Sequence, residues 1–359
     1  MTHITHRSWR TRTIGALLIA CLATMTAGCG DDEPIADTVT LVTYSSFPVA
    51  DTMVNAALDA FGAREGVTVE ILVAGDTGTM LTKAALTAGN PEGDVMWGVD
   101  NNLLSRAVEA GVFSPHVAAE RDRIDPSLTA LIVDDLVTPV DFGDVCVNYD
   151  AGWYDERGLE PPSTLDALID PAYADQLVVQ NPASSSPGLA FLLATIDRYG
   201  DGWESYWADL VANGVSVTDD WDGAYYGAFT RAGGDRPLVV SYGSSPPYEV
   251  LFGDNPETDT APTGVIGDTC YRQVEFAGVL AGTDIPELAG RLVDYLLSVD
   301  FQRHVADDLY VFPVHPDVEL DPIFQRFAVI PDDPASVDPA LIEQNRAEWV
   351  DTWTQVVGA

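Results

Sequence analysis

Four short stretches hold the side chains whose types and spacing could do chemistry. Residues 240–250 read VSYGSSPPYEV and residues 181–193 read NPASSSPGLAFLL. Residues 219–229 read DDWDGAYYGAF and residues 74–81 read AGDTGTML. Serine nucleophilic catalysis is the first chemistry to weigh. The hydrolase elbow G-x-S-x-G needs its second glycine for a tight strand-to-helix turn. Here Gly243 is followed by Ser244, Ser245, Pro246 and Pro247, so that turn is missing. Anion binding is the second chemistry. Ser185 and Ser186 precede Pro187 and Gly188 at the start of an apolar helix, where free amides and hydroxyls form a ready anion site. Asp76 and Thr77 open an earlier helix in the same manner. Stacking is the third: Trp221, Tyr242, Tyr248 and Tyr310 offer ring faces to heterocycles and cations.

No P-loop, G-x-G-x-x-G or H-E-x-x-H motif occurs in the chain. His304 reads as a surface residue, and the carboxylate pairs Asp134-Asp135, Asp219-Asp220 and Asp307-Asp308 arise readily at this composition. There are 17 Lys and Arg against 56 Asp and Glu, a formal net charge of −39, and Lys83 is the only lysine. Such a charge excludes nucleic acid and anionic lipid as partners through long-range repulsion. It is compatible with cationic ligands, although solubility in salty surroundings or compositional drift accounts for it better.

The first 28 residues read as an export signal: Arg7, Arg10 and Arg12 precede the apolar run IGALLIACLATMTAG. Met25-Thr26-Ala27-Gly28-Cys29 has the form of a lipobox, which predicts acylation at Cys29, a tether over 29–37 and anchorage on the outer face of a membrane, with ordinary cleavage and release into the periplasm as the alternative. The chain after it, about 330 residues, exceeds what one core usually holds. Two lobes are therefore expected.

The elements that must position the chemistry alternate. TVTLVTY, VTVEILV and DVMWGVD read as strands, each followed by a helix, which predicts an α/β unit with a mostly parallel sheet. Ligands of such sheets sit at the strand-to-helix turns. A second α/β unit follows, in which DDWDGAYYGAF reads as helical and SSPPYEV as a loop. VDFGDVCVNYD and GDTCYRQVEFAGVLAG read as long strands crossing between the units, with Cys146 on one and Cys270 on the other. A disulfide between them is the expected state of an exported chain, two buried thiols the alternative. The expected lobes are 38–142 with 272–312, and 143–271, followed by a helical tail over 313–359. Trp203, Trp207, Trp349 and Trp353 fall at helical spacing and read as packing residues.

TYSSF, GDTGTMLTKA, GVDNNLL, NPASSSPGLAFLLATIDRYG, VTDDWDGAYYGAF, VVSYGSSPPYEVL, YRQVEFAGVLAG and VFPV together resemble the periplasmic thiamine-binding proteins of ABC importers. The resemblance implies a two-lobed periplasmic-binding fold of type II, closing on thiamine or its phosphates and delivering them to a membrane permease. It implies no enzymatic activity, no cofactor and a monomer. It places ligand contacts at Asp76, Thr77, Ser185, Ser186, Trp221, Tyr242, Gly243, Ser244, Ser245, Pro246, Tyr248 and Tyr310. Tyr310 stands where the family often has tryptophan, and Gly243 replaces a threonine. Ferric-ion binders share the scaffold and use adjacent tyrosines, so Tyr225-Tyr226 supports that alternative. A hydrolase using Ser244 or Ser245 is the third reading.

Overall fold

The computed structural model describes residues 37–253 and 258–358. The export signal, Cys29 and all of the tether but Asp37 fall outside these. Ten strands are present among the described residues: β1 Thr38–Thr43, β2 Thr68–Val73, β3 Val95–Asp100, β4 Phe113–Ser114, β5 Thr138–Asp150, β6 Leu177–Gln180, β7 Ser216–Thr218, β8 Leu238–Tyr242, β9 Thr263–Leu280 and β10 Phe312–Pro313. They form one sheet in the order β2-β1-β3-β9-β5-β8-β6-β7, with β4 on β9 and β10 on β5.

The expected parallel pairing holds at both ends of the sheet: β1 with β2 and β3, and β6 with β7 and β8. The centre is antiparallel. β5 and β9 run in opposite directions and pair from Thr138 opposite Ala277 to Asp150 opposite Thr263, so one half of the sheet hangs on β9 through β3 and the other on β5 through β8. Their length follows from their composition. Val, Cys, Tyr and Phe alternate with polar residues without a proline or glycine cluster to stop them, apart from bulges beyond Pro139 and Val145.

Every residue of β3 is buried, as is typical of a strand covered on both faces. The helix Ser186–Tyr199 is buried from Ser186 through Thr195, which explains its nearly all-apolar sequence. The tail helix Pro339–Val357 docks through Trp353, whose ring meets Trp207 edge-on at 5.4 Å, and Trp207 meets Phe191 at 5.8 Å. Trp203 is buried and Trp349 packs against the same core, so the four tryptophans at helical spacing are packing residues.

Two local expectations change. The DDWDGAYYGAF stretch is not an ordinary helix but a π-helical turn, Gly223–Ala228, capped by Asp220 accepting the Gly223 N–H at 2.7 Å. Such wide turns re-aim side chains and recur at functional sites. The SSPPYEV stretch is not a loop: Pro246–Leu251 is a short helix, because two prolines preset φ for a first helical turn.

Cys146 and Cys270 are joined, 124 positions apart in sequence. Closing so long a loop restricts the unfolded chain, by about 2–4 kcal/mol in measured cases. The double variant Cys146→Ala/Cys270→Ala is expected to shift the chemical denaturation midpoint down accordingly; an unchanged midpoint contradicts this.

Candidate functional site

A cavity of about 290 Å³ opens beyond the carboxyl ends of the strands. Tyr44 and Ser46 reach it from the end of β1, Asp76 and Thr77 from β2, Trp221 from β7, and Tyr242, Ser245 and Tyr248 from β8. Glu275 enters from the middle of β9, and Asp307, Asp308 and Tyr310 from the helix Val305–Leu309 and its end.

Trp221 organises an aromatic wall. Its indole stacks on Tyr225 with centroids 4.7 Å apart and planes 14° from parallel, and Tyr226 meets it edge-on at 5.2 Å. Tyr248 meets Tyr226 at 6.3 Å and Tyr310 at 5.1 Å, closing the wall. Tyr310 holds left-handed backbone (φ 55°), a conformation that costs a bulky residue energy and that the ring packing must overcome. The Trp221 indole N–H donates to Ser241 Oγ at 3.1 Å. Ser241 Oγ lies 2.8 Å from Ser245 Oγ, which accepts the Tyr242 backbone N–H at 3.2 Å. Both hydroxyls thus fix the ring's orientation.

Asp76 caps the helix Thr77–Leu86, accepting the Thr77 N–H at 2.7 Å, and its other oxygen accepts the Trp221 N–H at 3.4 Å. That second bond ties the two ends of the sheet together across the cavity. A further tie is the Gly78 N–H donating to Ser184 O at 2.9 Å. It requires glycine, since a Cβ at position 78 would stand 2.7 Å from that oxygen. Asp76 keeps some surface on the cavity yet is ringed by protein, and burial raises its carboxyl to about 6 against the opposing pull of Ser185 and two backbone N–H groups.

The helix start Ser185–Ser186 is already served by the chain's own carboxylates. The Ser186 hydroxyl donates to Asp100, which also accepts the N–H groups of Asn102 and Leu103 at 3.0 Å each. Burial raises Asp100 to about 6. Ser185 is buried close to Asp76, with its hydroxyl outside hydrogen-bond geometry to any group.

Of the twelve residues read from sequence, Asp76, Thr77, Trp221, Tyr242, Ser245, Tyr248 and Tyr310 come together on the cavity. Ser185, Ser186, Gly243, Ser244 and Pro246 lie behind its wall. Gly243 pairs with Asp144 O and Val329 N at 2.7 and 2.8 Å, and a Cβ there would strike Val329 O at 2.4 Å, so threonine has no room. Ser244 is buried with its hydroxyl unpartnered, and Pro246 begins the short helix. Among the described residues neither the Ser244 nor the Ser245 hydroxyl is hydrogen-bonded to a histidine, lysine or carboxylate. Sequence reading missed Tyr44, Glu275, Asp307 and Asp308 as cavity residues, and Tyr225 and Tyr226, weighed there only for the ferric-ion alternative, line the cavity too. An acid inside the apolar run VEFAGVL was the available signal for Glu275.

A family model described as bacterial extracellular solute-binding protein matches residues 91–352. The thiamine-binding periplasmic protein of Escherichia coli (strain K12) is 29% identical over 343 residues, 95% of this chain and 97% of the relative. A solved periplasmic thiamin binding protein superposes with a TM-score of 0.78 at 28% identity, covering 89% of this chain and 96% of that one. The ferric binding protein from Campylobacter jejuni, at 16% identity and a TM-score of 0.68 over 89% and 99% of the two chains, shares the fold.

The buried carboxyls have a consequence for stability. Asp76, Asp100 and Asp141 are raised to about 6, 6 and 7. Each holds its proton longer in the folded chain than in the unfolded one, so ionising it works against the fold. Their contribution is full below the ordinary carboxylate range, about pH 4, and is lost as pH rises through about 6 to 7. Denaturation midpoints measured without ligand are expected to be higher at about pH 5 than at about pH 7.5; the opposite order contradicts these assignments.

Proposed function

The chain belongs to the bacterial extracellular solute-binding protein family, and from that premise we propose that it captures thiamine outside the membrane and delivers it to an ABC import permease. The observation that carries this reading is the character of the cavity: Trp221 and six tyrosines surround it together with Asp76, Glu275, Asp307 and Asp308, and no Lys or Arg lines it among the described residues. Thiamine matches that lining. Its aminopyrimidine can stack on an aromatic face and hydrogen-bond to a carboxylate such as Asp76, and its thiazolium is a permanent cation suited to ring faces and acids. Binding is by closure of the two lobes, 38–142 with 272–312 against 143–271, and not by catalysis. The resulting surface is what a permease would read. Export follows from this role, and anchorage through an acylated Cys29 belongs to the same proposal. No helix among the described residues is long and apolar enough to cross a membrane.

A ferric-ion ligand is the alternative that the tyrosines invite. Iron needs tyrosinate, and burial together with Glu249 pushes the Tyr225 phenol well above its ordinary value, with its hydroxyl donating to Glu249 Oε1 at 2.9 Å. The surroundings therefore disfavour the form that iron requires. Phosphorylated thiamine meets a related obstacle. The cavity lining offers no cation to a phosphate, and the Ser186 hydroxyl is engaged by Asp100.

Calorimetry of the purified protein with thiamine, thiamine diphosphate and ferric citrate tests the reading. Thiamine is expected to bind most tightly, the diphosphate more weakly. Binding of ferric citrate alone, with a visible tyrosinate band, overturns it. Trp221→Ala is expected to weaken thiamine by about tenfold or more, as loss of an aromatic anchor does, while Trp349→Ala on the tail helix leaves affinity within about twofold. Equal losses contradict the assignment of Trp221.

A further inference from the structure

Asp141 and Glu275 face each other across the β5–β9 ladder, at a spacing that brings opposed Cβ atoms to roughly 5 Å. Asp141 is wholly buried, and Glu275, which is 7% exposed, lines the cavity. Asp141 Oδ2 accepts the Trp97 indole N–H at 2.8 Å and Glu275 Oε1 accepts the Gln273 amide at 3.1 Å. Gln273 in turn accepts the Tyr242 hydroxyl at 3.2 Å. The remaining oxygens, Asp141 Oδ1 and Glu275 Oε2, are buried with no partner. Two buried carboxyls side by side, each with an unpartnered oxygen, form a site short of positive charge.

The groups around the pair do not supply that charge. Asp76 at the start of the helix Thr77–Leu86, Asp100 at the end of β3, and Asp307 and Asp308 on the helix Val305–Leu309 are acidic. Tyr44 beyond β1 and Tyr242 on β8 are neutral phenols, held so by burial and by Glu275. β10 places Pro313 opposite Asp141. Arg272, on the same strand as Glu275, is engaged by Asp144 at 2.6 Å.

We propose that the Asp141–Glu275 pair is the charge-recognising element of the cavity, holding a proton without ligand and releasing it when an organic cation binds. The O–H bond of the protonated carboxyl breaks and the proton passes to solvent. The carboxylate left behind faces the arriving positive charge, so the charge inside the site is unchanged. Burial is what keeps the pair protonated: it raises Asp141 to about 7, and Glu275 is pushed well above the carboxylate range by burial and by the charges of Asp141, Asp100 and Asp76. Such a site selects for permanent cations, because a neutral ligand gains nothing from the deprotonated pair. The inference rests on the thiamine reading and names how the site would tell thiamine from uncharged analogues.

The test is thiamine calorimetry on the full protein at one pH, in two buffers with different protonation enthalpies, repeated with an uncharged analogue whose thiophene ring replaces the thiazolium. Wild type is expected to release about one proton with thiamine and none with the analogue, and, in titrations repeated across pH, its thiamine affinity is expected to increase as pH increases, by at most about tenfold per pH unit. The double variant Glu275→Gln/Asp141→Asn is expected to abolish the release and to bring the two ligands to similar affinity, while Asp76→Asn retains the release. Circular dichroism checks that each variant folds, and the wild-type proton count needs no variant. Thiamine binding with no proton release, or a release that survives the double variant Glu275→Gln/Asp141→Asn, overturns the inference and leaves the thiamine reading standing. Absence of thiamine binding overturns the thiamine reading itself, and the inference with it.

Discussion

β5 and β9 run antiparallel through the middle of the sheet, and both sets of parallel strands are hydrogen-bonded onto them. This pairing settles where everything else can be. It sets the strand ends whose turns converge on one cavity, carries the disulfide between Cys146 and Cys270, and places Asp141 beside Glu275 near the cavity floor. Among the described residues, the two ends of the sheet are also tied across the cavity by Asp76 with the Trp221 N–H, Gly78 with Ser184, Ser186 with Asp100 and the Tyr248–Tyr310 ring contact. A continuous central ladder with side-chain ties across the cavity is the arrangement that the proposed lobe closure would act on.

The second organising fact is electrostatic. A chain with a formal net charge of −39 could keep its cavity neutral, but this one brings carboxylates into it and backs them with more. Burial then drives these groups towards their protonated forms, which is tolerable for the fold and leaves a site that gains by receiving a cation. The aromatic wall supplies the other half of the selectivity. Trp221, stacked on Tyr225 and fixed by Ser241, is oriented before any ligand arrives, so little conformational freedom remains to be lost on binding.

Much of this was legible in the sequence. The alternation of strand and helix, the two long crossing strands, the cysteine pair and the packing tryptophans follow from periodicity and composition, because those patterns report burial directly. Asp76, Trp221, Tyr242 and Tyr248 were legible as well, since they sit in turns after strands, where ligands of such sheets bind. What sequence reading missed depends on pairing across the fold. Glu275 looks like one polar position in a strand until its opposition to Asp141 is known. Ser186 looks like an anion binder until Asp100 is found already accepting its hydroxyl. The widened turn at Gly223–Ala228 has no period of its own, and the Pro246–Leu251 helix is too short to show one.

The most direct check of the central claim is a crystal structure of the protein grown with thiamine. The account predicts one molecule in the cavity beyond the strand ends, a ring lying on the aromatic wall around Trp221, its aminopyrimidine within hydrogen-bonding distance of Asp76 and its thiazolium towards Glu275. Thiamine found elsewhere on the molecule, or a cavity that stays free of it at saturating concentration, would contradict the account.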